Sequence, residues 1–529
     1  MDSYFLSVLS GLLSHIVCHR TDPRGRLALL LVLFLAPVLQ TVIARPQYVL
    51  PFFARAQFIY IVTLCSSTVA YRLSPFHQLS RYPGPLLARI SSWWMVWNAL
   101  DGKQHIRFRK LHEVYGEIVR TGPNHVHVCS AAAIRTVLAF QNQWHRFEGY
   151  KTLVPPGGTG AILTVTDPED HRQRRRVWDR ALANTALADY RSMMDARITQ
   201  LREALDKRCG QEVDISEWLT WFTLDFMGDF AFGGSFDFMA RAADPEHLHS
   251  TIVRAIGASD LFSKIPWTRA FIHLLPNPME PLLRVSHELV RKKKALGSDA
   301  EVKDLFHHFN QRPSDEELSD DALAQDALIA VVAGSDTSSS VLANAIYYLV
   351  SDPFALEKLR AELDQAGDLS DWKGLAKCEY LQAVLNETMR LAPAAPNGVV
   401  KESPRSGEVV VAGYILPPKT VVYIPFYPLF RDRRYFSAPD EFRPERWLPG
   451  TKDYQHDETA FIPFSYGPTG CAGKQLALLE TRAALAMLVQ RFDIAFSPGY
   501  DPARWEEDIE DRFILSKGSL PVVLNTRQL

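Results

Sequence analysis

Three long apolar stretches open the chain, and a much larger region follows in which apolar residues recur at helical spacing. The stretches cover residues 3–18, 27–44 and 56–71, and none of them carries a charged side chain. Only the middle stretch reaches the ~18 residues that usually span a bilayer. We therefore expect an N-terminal membrane region at residues 1–80, with one to three hydrophobic segments.

Basic residues beside these stretches bear on their orientation. Arg20, Arg24 and Arg26 lie between the first two stretches, and Arg72 and Arg81 follow the third. If all three stretches span, the positive-inside rule places the first loop and the C-terminal portion together in the cytosol. If only the middle one spans, the same loop favours a cytosolic N-terminus. A cleaved signal peptide fits poorly, because apolar sequence continues far beyond any first cleavage site.

Residues 81–529 are predicted to form one domain that is mainly α with minor β. A proline-rich turn at 81–85 separates this domain from the membrane region. Apolar spacing predicts helices at 102–115, 131–139, 168–187, 190–207, 216–232, 279–296, 320–351, 353–366, 377–391 and 474–490. Strand-like segments lie at 118–121, 125–128, 408–411 and 420–423, with a hairpin formed by 513–515 and 522–524.

Composition narrows the class of protein without identifying it. Apolar residues make up 47% and charged residues 22% of the 529 residues, as is typical of a globular protein with a large core. The net charge of −2 gives no reason to expect a nucleic-acid partner. The six cysteines are scattered and form no CxxC pair, which argues against a zinc site and a disulfide framework.

One cysteine stands in a glycine-rich turn just before a predicted helix. Cys471 follows Phe464, Gly467 and Gly470 and precedes Gly473. Backbone N–H groups and a helix N-terminus lower the pKa of a thiol and suit it to binding iron. The glycines let the backbone bend tightly and leave room for a flat ring. A haem-thiolate site is therefore predicted, with a buried structural cysteine as the alternative.

Two further motifs carry polar side chains inside predicted helices. The helix at 320–351 contains Asp336 and Thr337, which are suited to relaying protons. The alternative is a small-residue helix contact with a surface aspartate. Glu387 and Arg390 are spaced i, i+3 in a later helix, and Arg446 follows in the segment 444–447. Taken alone, such a pair is usually an exposed salt bridge worth less than ~1 kcal/mol.

Together these motifs resemble those of cytochromes P450, in the family's order, and the resemblance covers residues 81–529. It implies that Cys471 is the axial ligand of a haem b iron, and that Phe464, Gly467 and Gly473 shape the cofactor loop. The segments 432–436 and 466–470 are similar to those of fungal microsomal members.

The resemblance also gives roles to the polar motifs. It implies that Asp336 and Thr337 carry protons to bound oxygen. It implies that Glu387, Arg390 and Arg446 form a buried structural network that braces the cysteine loop.

One position departs from the family pattern. The family commonly has an arginine two residues before the cysteine, where it binds a haem propionate, but this chain has Thr469. By resemblance, we expect His171, Arg175 and Lys401 to supply the missing charge or hydrogen bonds.

Further residues are assigned by the same resemblance. Arg174, Arg176 and Lys474 are candidates for a surface that docks an acidic reductase. The loop 144–163 and the positions Val331, Ala333, Val399 and 517–520 are candidates for substrate contact.

The implied activity is a haem-thiolate monooxygenase that inserts one oxygen atom from O2 into a lipophilic small molecule, in secondary metabolism or detoxification. Electrons are expected from NADPH through a separate NADPH–cytochrome P450 reductase, because the stretch after Cys471 is too short for a flavin domain. Cytochrome b5 is a second candidate partner. We expect the protein in the endoplasmic reticulum membrane, with its catalytic domain facing the cytosol. The alternatives are a P450-like isomerase or peroxygenase, and a non-catalytic haem-binding membrane protein.

Overall fold

The computed structural model describes residues 2–527 with short gaps. The gaps are residues 22, 24, 140–143, 155–157, 235, 246, 273, 275, 278, 296–302, 311–317, 368–370, 452–453 and 455. The predicted helix at 279–296 therefore ends at a residue outside the described part of the chain.

The three apolar stretches fold as three packed helices, α1 (Asp2–Thr21), α2 (Arg26–Ala44) and α3 (Val49–Leu73). Within the described residues, α2 and α3 are long and apolar enough to cross a membrane, whereas α1 does not meet the same criterion. All three segments expected from the sequence are thus helical, and composition alone separates α1 from the other two.

Helices dominate the rest of the chain, as the apolar spacing predicts. They are α4 (Leu86–Ile90), α5 (Trp93–Ala99), α6 (Gln104–Tyr115), α7 (Ala131–Leu138), α8 (Pro168–Ala181), α9 (Asn184–Leu187), α10 (Arg191–Asp206), α11 (Ile215–Phe232), α12 (Phe238–Arg241), α13 (Leu248–Ser263), α14 (Arg269–Ile272), α15 (Glu280–Ala295), α16 (Leu305–Asn310), α17 (Asp320–Ser351), α18 (Pro353–Ala366), α19 (Trp372–Leu375), α20 (Glu379–Leu391), α21 (Phe426–Leu429), α22 (Lys474–Arg491) and α23 (Ala503–Asp508). The mainly α fold class is confirmed.

The strands form small sheets at the periphery of the helical core. They are β1 (Ile118–Arg120), β2 (His125–Val128), β3 (His145–Arg146), β4 (Glu212–Asp214), β5 (Val399–Glu402), β6 (Val409–Val411), β7 (Tyr414–Leu416), β8 (Val421–Ile424), β9 (Phe492–Phe496), β10 (Glu510–Arg512), β11 (Ile514–Ser516) and β12 (Pro521–Thr526). The largest sheet has the order β1-β2-β8-β5-β3, a second has β4-β12-β9, and β6-β7 and β10-β11 pair separately.

The predicted hairpin of 513–515 with 522–524 is wrong. Phe513 has a φ of 78°, which reverses the chain, so that β11 folds back on β10. The later segment belongs to β12, which pairs with β4 and β9. Alternating apolar residues identified both strands, but they do not encode which neighbour each one pairs with.

One predicted helix is interrupted. The segment 168–187 divides into α8 and α9, because Leu182 leaves helical geometry with φ −113° and ψ 16°. The carbonyl of Ala181 at the break accepts a hydrogen bond from the hydroxyl of Tyr190 (2.8 Å). This bond replaces one that a continuous helix would have made.

The long helix α17 runs through the core and organises the site. Helix α11 packs along it so closely that a Cβ added to Gly334 would lie 2.6 Å from the Met227 sulfur. Helices α20 and α22 pack against α17 as well. The elements that carry the three candidate motifs are therefore in mutual contact.

Candidate functional site

The cysteine loop is closed by its own backbone. The N–H of Cys471 donates to the carbonyl of Phe464 (2.8 Å). The loop then enters α22 through Gly473, and the N–H groups of Gly473 and Lys474 interact with the Cys471 sulfur. The sequence motif therefore produces a thiol held at the N-terminus of a long helix.

The pKa of this thiol differs in direction from the sequence-based expectation. Burial is the largest effect and raises the pKa of Cys471. The Gly473 N–H and the charges of Arg175 and Lys474 lower it, as expected, but do not outweigh burial. One side of the residue is nevertheless exposed. A cation at the sulfur would stabilise the thiolate here, and a haem iron fits that role.

Gly467 makes room for protein rather than for a ring. Its φ of 74° is strained for other residues, and an added Cβ would lie 1.9 Å from the carbonyl oxygen of Leu138, at the end of α7. A Cβ added to Gly473 would lie 3.9 Å from the Cys471 sulfur, an ordinary contact distance. The glycine at 467 therefore fixes the loop against α7.

Thr337 lies at an opening in the otherwise buried α17. Its hydroxyl donates to the carbonyl of Ala333, one turn earlier (2.6 Å). Ala333 is exposed although most of the helix around it is buried. The hydroxyl is thus held at an accessible surface of the helix, while Gly334 faces α11.

Asp336, the neighbour of Thr337, lies beside a small cavity that the sequence did not reveal. Its Oδ1 is 3.3 Å from Nε2 of His249 on α13 and makes no well-oriented hydrogen bond among the described residues. Both side chains line a cavity of about 20 Å³, large enough for one water molecule. Lys517 lines the same cavity, and burial lowers the pKa of Lys517 to about 8 although Asp336 opposes this effect.

Glu387 is the centre of a buried ionic network. Its carboxylate accepts bonds from Arg390 Nε and Nη2 (both 2.8 Å) and from Arg446 Nε (3.0 Å). Trp447 Nε1 (2.9 Å) and the Arg443 N–H (2.8 Å) complete its shell. Burial would raise the pKa of Glu387, but the bonds and charges of the two arginines lower it overall.

The two arginines of this network also bind backbone. Their guanidinium groups donate to carbonyls in the segment between β8 and the cysteine loop. These carbonyls belong to Phe430, Ser437, Ala438, Pro439 and Glu441. The network therefore fixes α20 to the chain that leads into the loop.

Basic side chains cluster around His171, and one of them, Arg175, reaches the cysteine loop. Burial lowers the pKa of His171 to about 3, and Arg146, Arg175 and Lys401 lower it further. Burial and the charge of Arg146 lower the pKa of Lys401 to about 7. Arg146 was not predicted from the sequence; β3 pairs it directly with Lys401 of β5.

This cluster fits an anionic cofactor. Buried like charges are unfavourable unless an anion lies among them. The Arg175 guanidinium also donates to the carbonyl of Gly470 in the cysteine loop. The hydroxyl of Thr469 is buried without a hydrogen-bond partner among the described residues. The residues present thus fit a haem, whose carboxylates the cations would bind and whose iron the Cys471 thiolate would hold.

One residue expected on a docking surface is buried. Arg174 is 4% exposed, and it donates to Asp170 (3.1 Å) and to the carbonyl of Gly160 (2.7 Å). The prediction for Arg174 is therefore wrong, because the periodicity of α8 turns it inward. Arg176 and Lys474 are exposed.

Some of the expected substrate contacts are buried and others are exposed. Val331 (3% exposed) and Leu520 (0%) belong to the main hydrophobic core and are packing residues. Ala333 and Val399 retain exposed surface. Residues 155–157 of the loop 144–163 lie outside the described residues.

Comparison with known proteins shows which family the sequence matches. The cytochrome P450 family model matches residues 88–520. Cytochrome P450 67 of Uromyces fabae is 32% identical over 470 residues, covering 84% of this chain and 85% of that protein. Cytochrome P450 monooxygenase orf5 of Eupenicillium brefeldianum is 30% identical, covering 90% and 96%. Tryprostatin B 6-hydroxylase of Aspergillus fumigatus is 31% identical, covering 88% and 84%.

The family match spans the cysteine loop, α17 and the network around Glu387, and similar fungal proteins cover most of the chain. The chain belongs to the cytochrome P450 family, among its fungal members.

Proposed function

We propose that Cys471 is the axial thiolate of a haem b, and that the enzyme inserts one oxygen atom from O2 into a lipophilic small molecule by hydroxylation or epoxidation. The observation that carries the proposal is the Cys471 thiol held by the Gly473 N–H beside the cluster of His171, Arg175 and Lys401. Haem bound there supplies O2 activation.

The protein's own groups are assigned to holding the haem and to moving protons. Phe464, Gly467 and Gly473 shape the loop, while Arg175 and Lys401 bind the haem carboxylates by charge and the neutral His171 binds them by a hydrogen bond. The Thr337 hydroxyl, whose hydrogen is bound to the Ala333 carbonyl at rest, turns to donate that proton toward the oxygen site. Asp336 receives the proton from the cavity it shares with His249 and returns it to Thr337.

Electrons come from NADPH through a separate NADPH–cytochrome P450 reductase, and cytochrome b5 is a second partner. Family membership implies a redox partner of this kind. The exposed cations Arg176 and Lys474 support docking of an acidic surface beside the cysteine loop.

The chain is proposed to divide into a membrane region at residues 1–80 and a catalytic domain at 81–529. It lies in the endoplasmic reticulum membrane with the catalytic domain in the cytosol. The apolar helices α2 and α3 support attachment, and the exposed side chains of Trp93 and Trp97 on α5 support contact of the catalytic domain with the same surface.

Its substrate is proposed to be a lipophilic product of fungal secondary metabolism. Two relatives are tryprostatin B 6-hydroxylases, from Aspergillus fumigatus and Neosartorya fischeri, and others are named as monooxygenases. These names support hydroxylation as the reaction of the group.

The decisive experiment is co-expression of the full chain with a P450 reductase, followed by a screen of lipophilic metabolites for the gain of one oxygen atom. A reduced CO-difference spectrum typical of a haem thiolate is expected, and Cys471→Ser should abolish it.

Failure to bind haem would contradict the proposal. Turnover with peroxide but none with NADPH and reductase would favour a peroxygenase. A sixth position closed to CO would favour a non-catalytic haem protein.

A further inference from the structure

Helices α1, α2 and α3 bury several polar side chains and leave most of their large apolar side chains exposed. Ser7 and Tyr60 are 0% exposed, whereas Phe5, Leu13 and Phe58 are 67%, 54% and 69% exposed. A helical bundle in water shows the reverse arrangement, with apolar residues facing its interior. The outer surface of these helices is suited to hydrocarbon.

A seam of hydrogen bonds joins α1 to α2 within this bundle. The Ser7 hydroxyl on α1 donates to Gln40 Oε1 on α2 (2.7 Å). The Gln40 amide donates in turn to the hydroxyl of Ser10 (3.3 Å). The glutamine thereby satisfies both of its polar groups between helices, as a polar residue in a bilayer must.

Helix α3 is bound to both of the others. The Tyr60 hydroxyl donates to the Val32 carbonyl of α2 and lies 2.8 Å from the Ser14 hydroxyl of α1. A Cβ added to Gly11 on α1 would lie 3.0 Å from the Thr63 Cβ on α3. Small residues that let helices approach closely are typical of packing inside membranes.

The ring contacts give the direction of each helix. Tyr4 and Phe52 stack at one end of the bundle (6.4 Å between centroids), and His19 and Tyr71 meet at the other (4.7 Å). Helix α1 therefore runs parallel to α3. Because the catalytic domain follows α3, the start of α1 lies at the opposite end of the bundle.

We infer that α1 crosses the membrane together with α2 and α3, as a three-helix transmembrane bundle. The loop between α1 and α2 lies on the catalytic side, and Asp2 lies on the opposite side. This inference rests on the proposed membrane attachment and assigns its number of spans. Ser7, Ser10 and Ser14 lower the mean hydropathy of α1, but their hydroxyls bond to the neighbouring helices inside the bundle.

Length and charge agree with this arrangement. The 20 residues of α1 rise about 30 Å, the thickness of a hydrocarbon core. The catalytic end of the bundle carries Arg20, Arg26 and Arg72, and the opposite end carries Arg45 and Arg55. The excess of basic residues on the catalytic side matches the positive-inside rule.

Glycosylation mapping in yeast microsomes tests the topology. An N-glycosylation tag on a long linker is placed before Asp2 in the full-length chain, or inserted between Thr21 and Arg26, or fused after Leu529. Only the first tag should be glycosylated, with a mobility shift that endoglycosidase H reverses. An unmodified tag before Asp2, or a glycan on either of the others, would overturn the inference.

Cross-linking tests the packing independently. Gly11→Cys with Thr63→Cys is made in a Cys18→Ala, Cys65→Ala background, since the two Cβ atoms need to move apart by only about 1 Å to form a disulfide. An epitope precedes α1, and a protease site is inserted after Thr21 so that cleavage separates α1 from the rest of the chain. If the disulfide has formed, the epitope should still migrate with the full-length protein when the cleaved sample is run without reductant.

The matched pair is Leu13→Cys with Phe58→Cys, whose positions face outward, and it should release the epitope after cleavage. Release from both pairs would show that α1 does not pack on α3 and would overturn the bundle. Each variant is also assayed for its reduced CO-difference spectrum. A normal spectrum with the wrong topology refutes the bundle alone, whereas loss of the spectrum in the untagged chain refutes the proposed function.

Discussion

At the scale of single residues, Glu387 shows why an ordinary sequence pair acquires a structural role. Its carboxylate, Arg390 and Arg446 have fully buried side chains, so each charge depends on the others. Removing one partner of a buried charge network commonly costs about 3–5 kcal/mol, because the remaining charges are left uncompensated.

We therefore expect Glu387→Gln to prevent haem incorporation, because the two guanidinium groups would remain buried without a counter-charge. The measurement is the reduced CO-difference spectrum of membranes matched for total protein. The control is Glu441→Gln, which removes an exposed pair with Arg443 and should leave the spectrum unchanged. Equal spectra for the two variants would contradict a supporting role of the network.

The proximity of His249 to Asp336 leads to a second prediction at this scale. His249→Leu should reduce product formation about three- to ten-fold and divert NADPH-derived electrons to hydrogen peroxide, because proton supply to Asp336 is slowed. The ratio of product to NADPH consumed measures the effect for a substrate identified by the screen. The exposed neighbour His247, replaced by Asn, provides the control, and an unchanged ratio in His249→Leu would refute the relay.

The sequence predicted the residues that stand in compact motifs, and it missed those that reach the site from elsewhere. Asp336 and Thr337 lie in one helical turn, so their spacing was informative. His249 comes from α13 and Arg146 from a two-residue strand, and neither position has a local pattern that marks it. Only tertiary folding brings them to Asp336 and Lys401.

At the scale of elements, the predicted helices lie close to the observed ones because apolar periodicity reports the buried face of each helix. The break after Ala181 was missed because a side chain from outside the helix, that of Tyr190, binds the carbonyl there. The pairing of β12 was missed for a related reason. Strand partners are chosen by long-range contacts that a single sequence does not display.

The contact between α17 and α22 gives a pH-dependent prediction. Glu480 on α22 is 1% exposed and lies beside Ser338, and burial raises the pKa of Glu480 to about 8. At neutral pH the folded protein thus holds a proton that the unfolded chain has lost. Stability from this group is present below the unfolded pKa of 4.5 and is lost as the pH rises through about 8.

Glu480→Gln should therefore flatten the decline in apparent melting temperature between pH 5 and pH 8. Retention of the haem Soret band during heating measures it. The exposed carboxylate Glu357 on α18, replaced by Gln, is the control and should leave the pH profile as it is in the natural chain. A decline of equal slope in Glu480→Gln would show that Glu480 is ionised in the folded protein.

At the scale of the whole molecule, apolar surface continues from the N-terminal helices onto the catalytic domain. Leu87 and Trp97 are 66% and 75% exposed on α4 and α5. Trp93 contacts Trp267 with ring centroids 6.4 Å apart, which joins α5 to the segment before α14. Exposed aromatic residues in one region are typical of membrane or protein contact.

We expect a chain that begins at Ser74 to keep its CO-difference spectrum and still to float with lipid vesicles. Binding should persist in high salt, because apolar side chains provide it. Replacing Leu87 and Trp97 by Ser should reduce flotation several-fold, while Val410→Ser, at an exposed position on β6, should not. Complete loss of flotation on truncation alone would show that the catalytic domain has no membrane surface of its own.

The contact between Gly467 and Leu138 has a consequence for protein engineering. Since the two segments touch through main-chain atoms, the shape of the cysteine loop is matched to a helix far upstream. Chimeras that exchange the loop between relatives should tolerate most substitutions in it, but not a donor with any side chain at position 467. In directed evolution, position 467 should therefore be kept as glycine, and libraries for new chemistry should vary other positions.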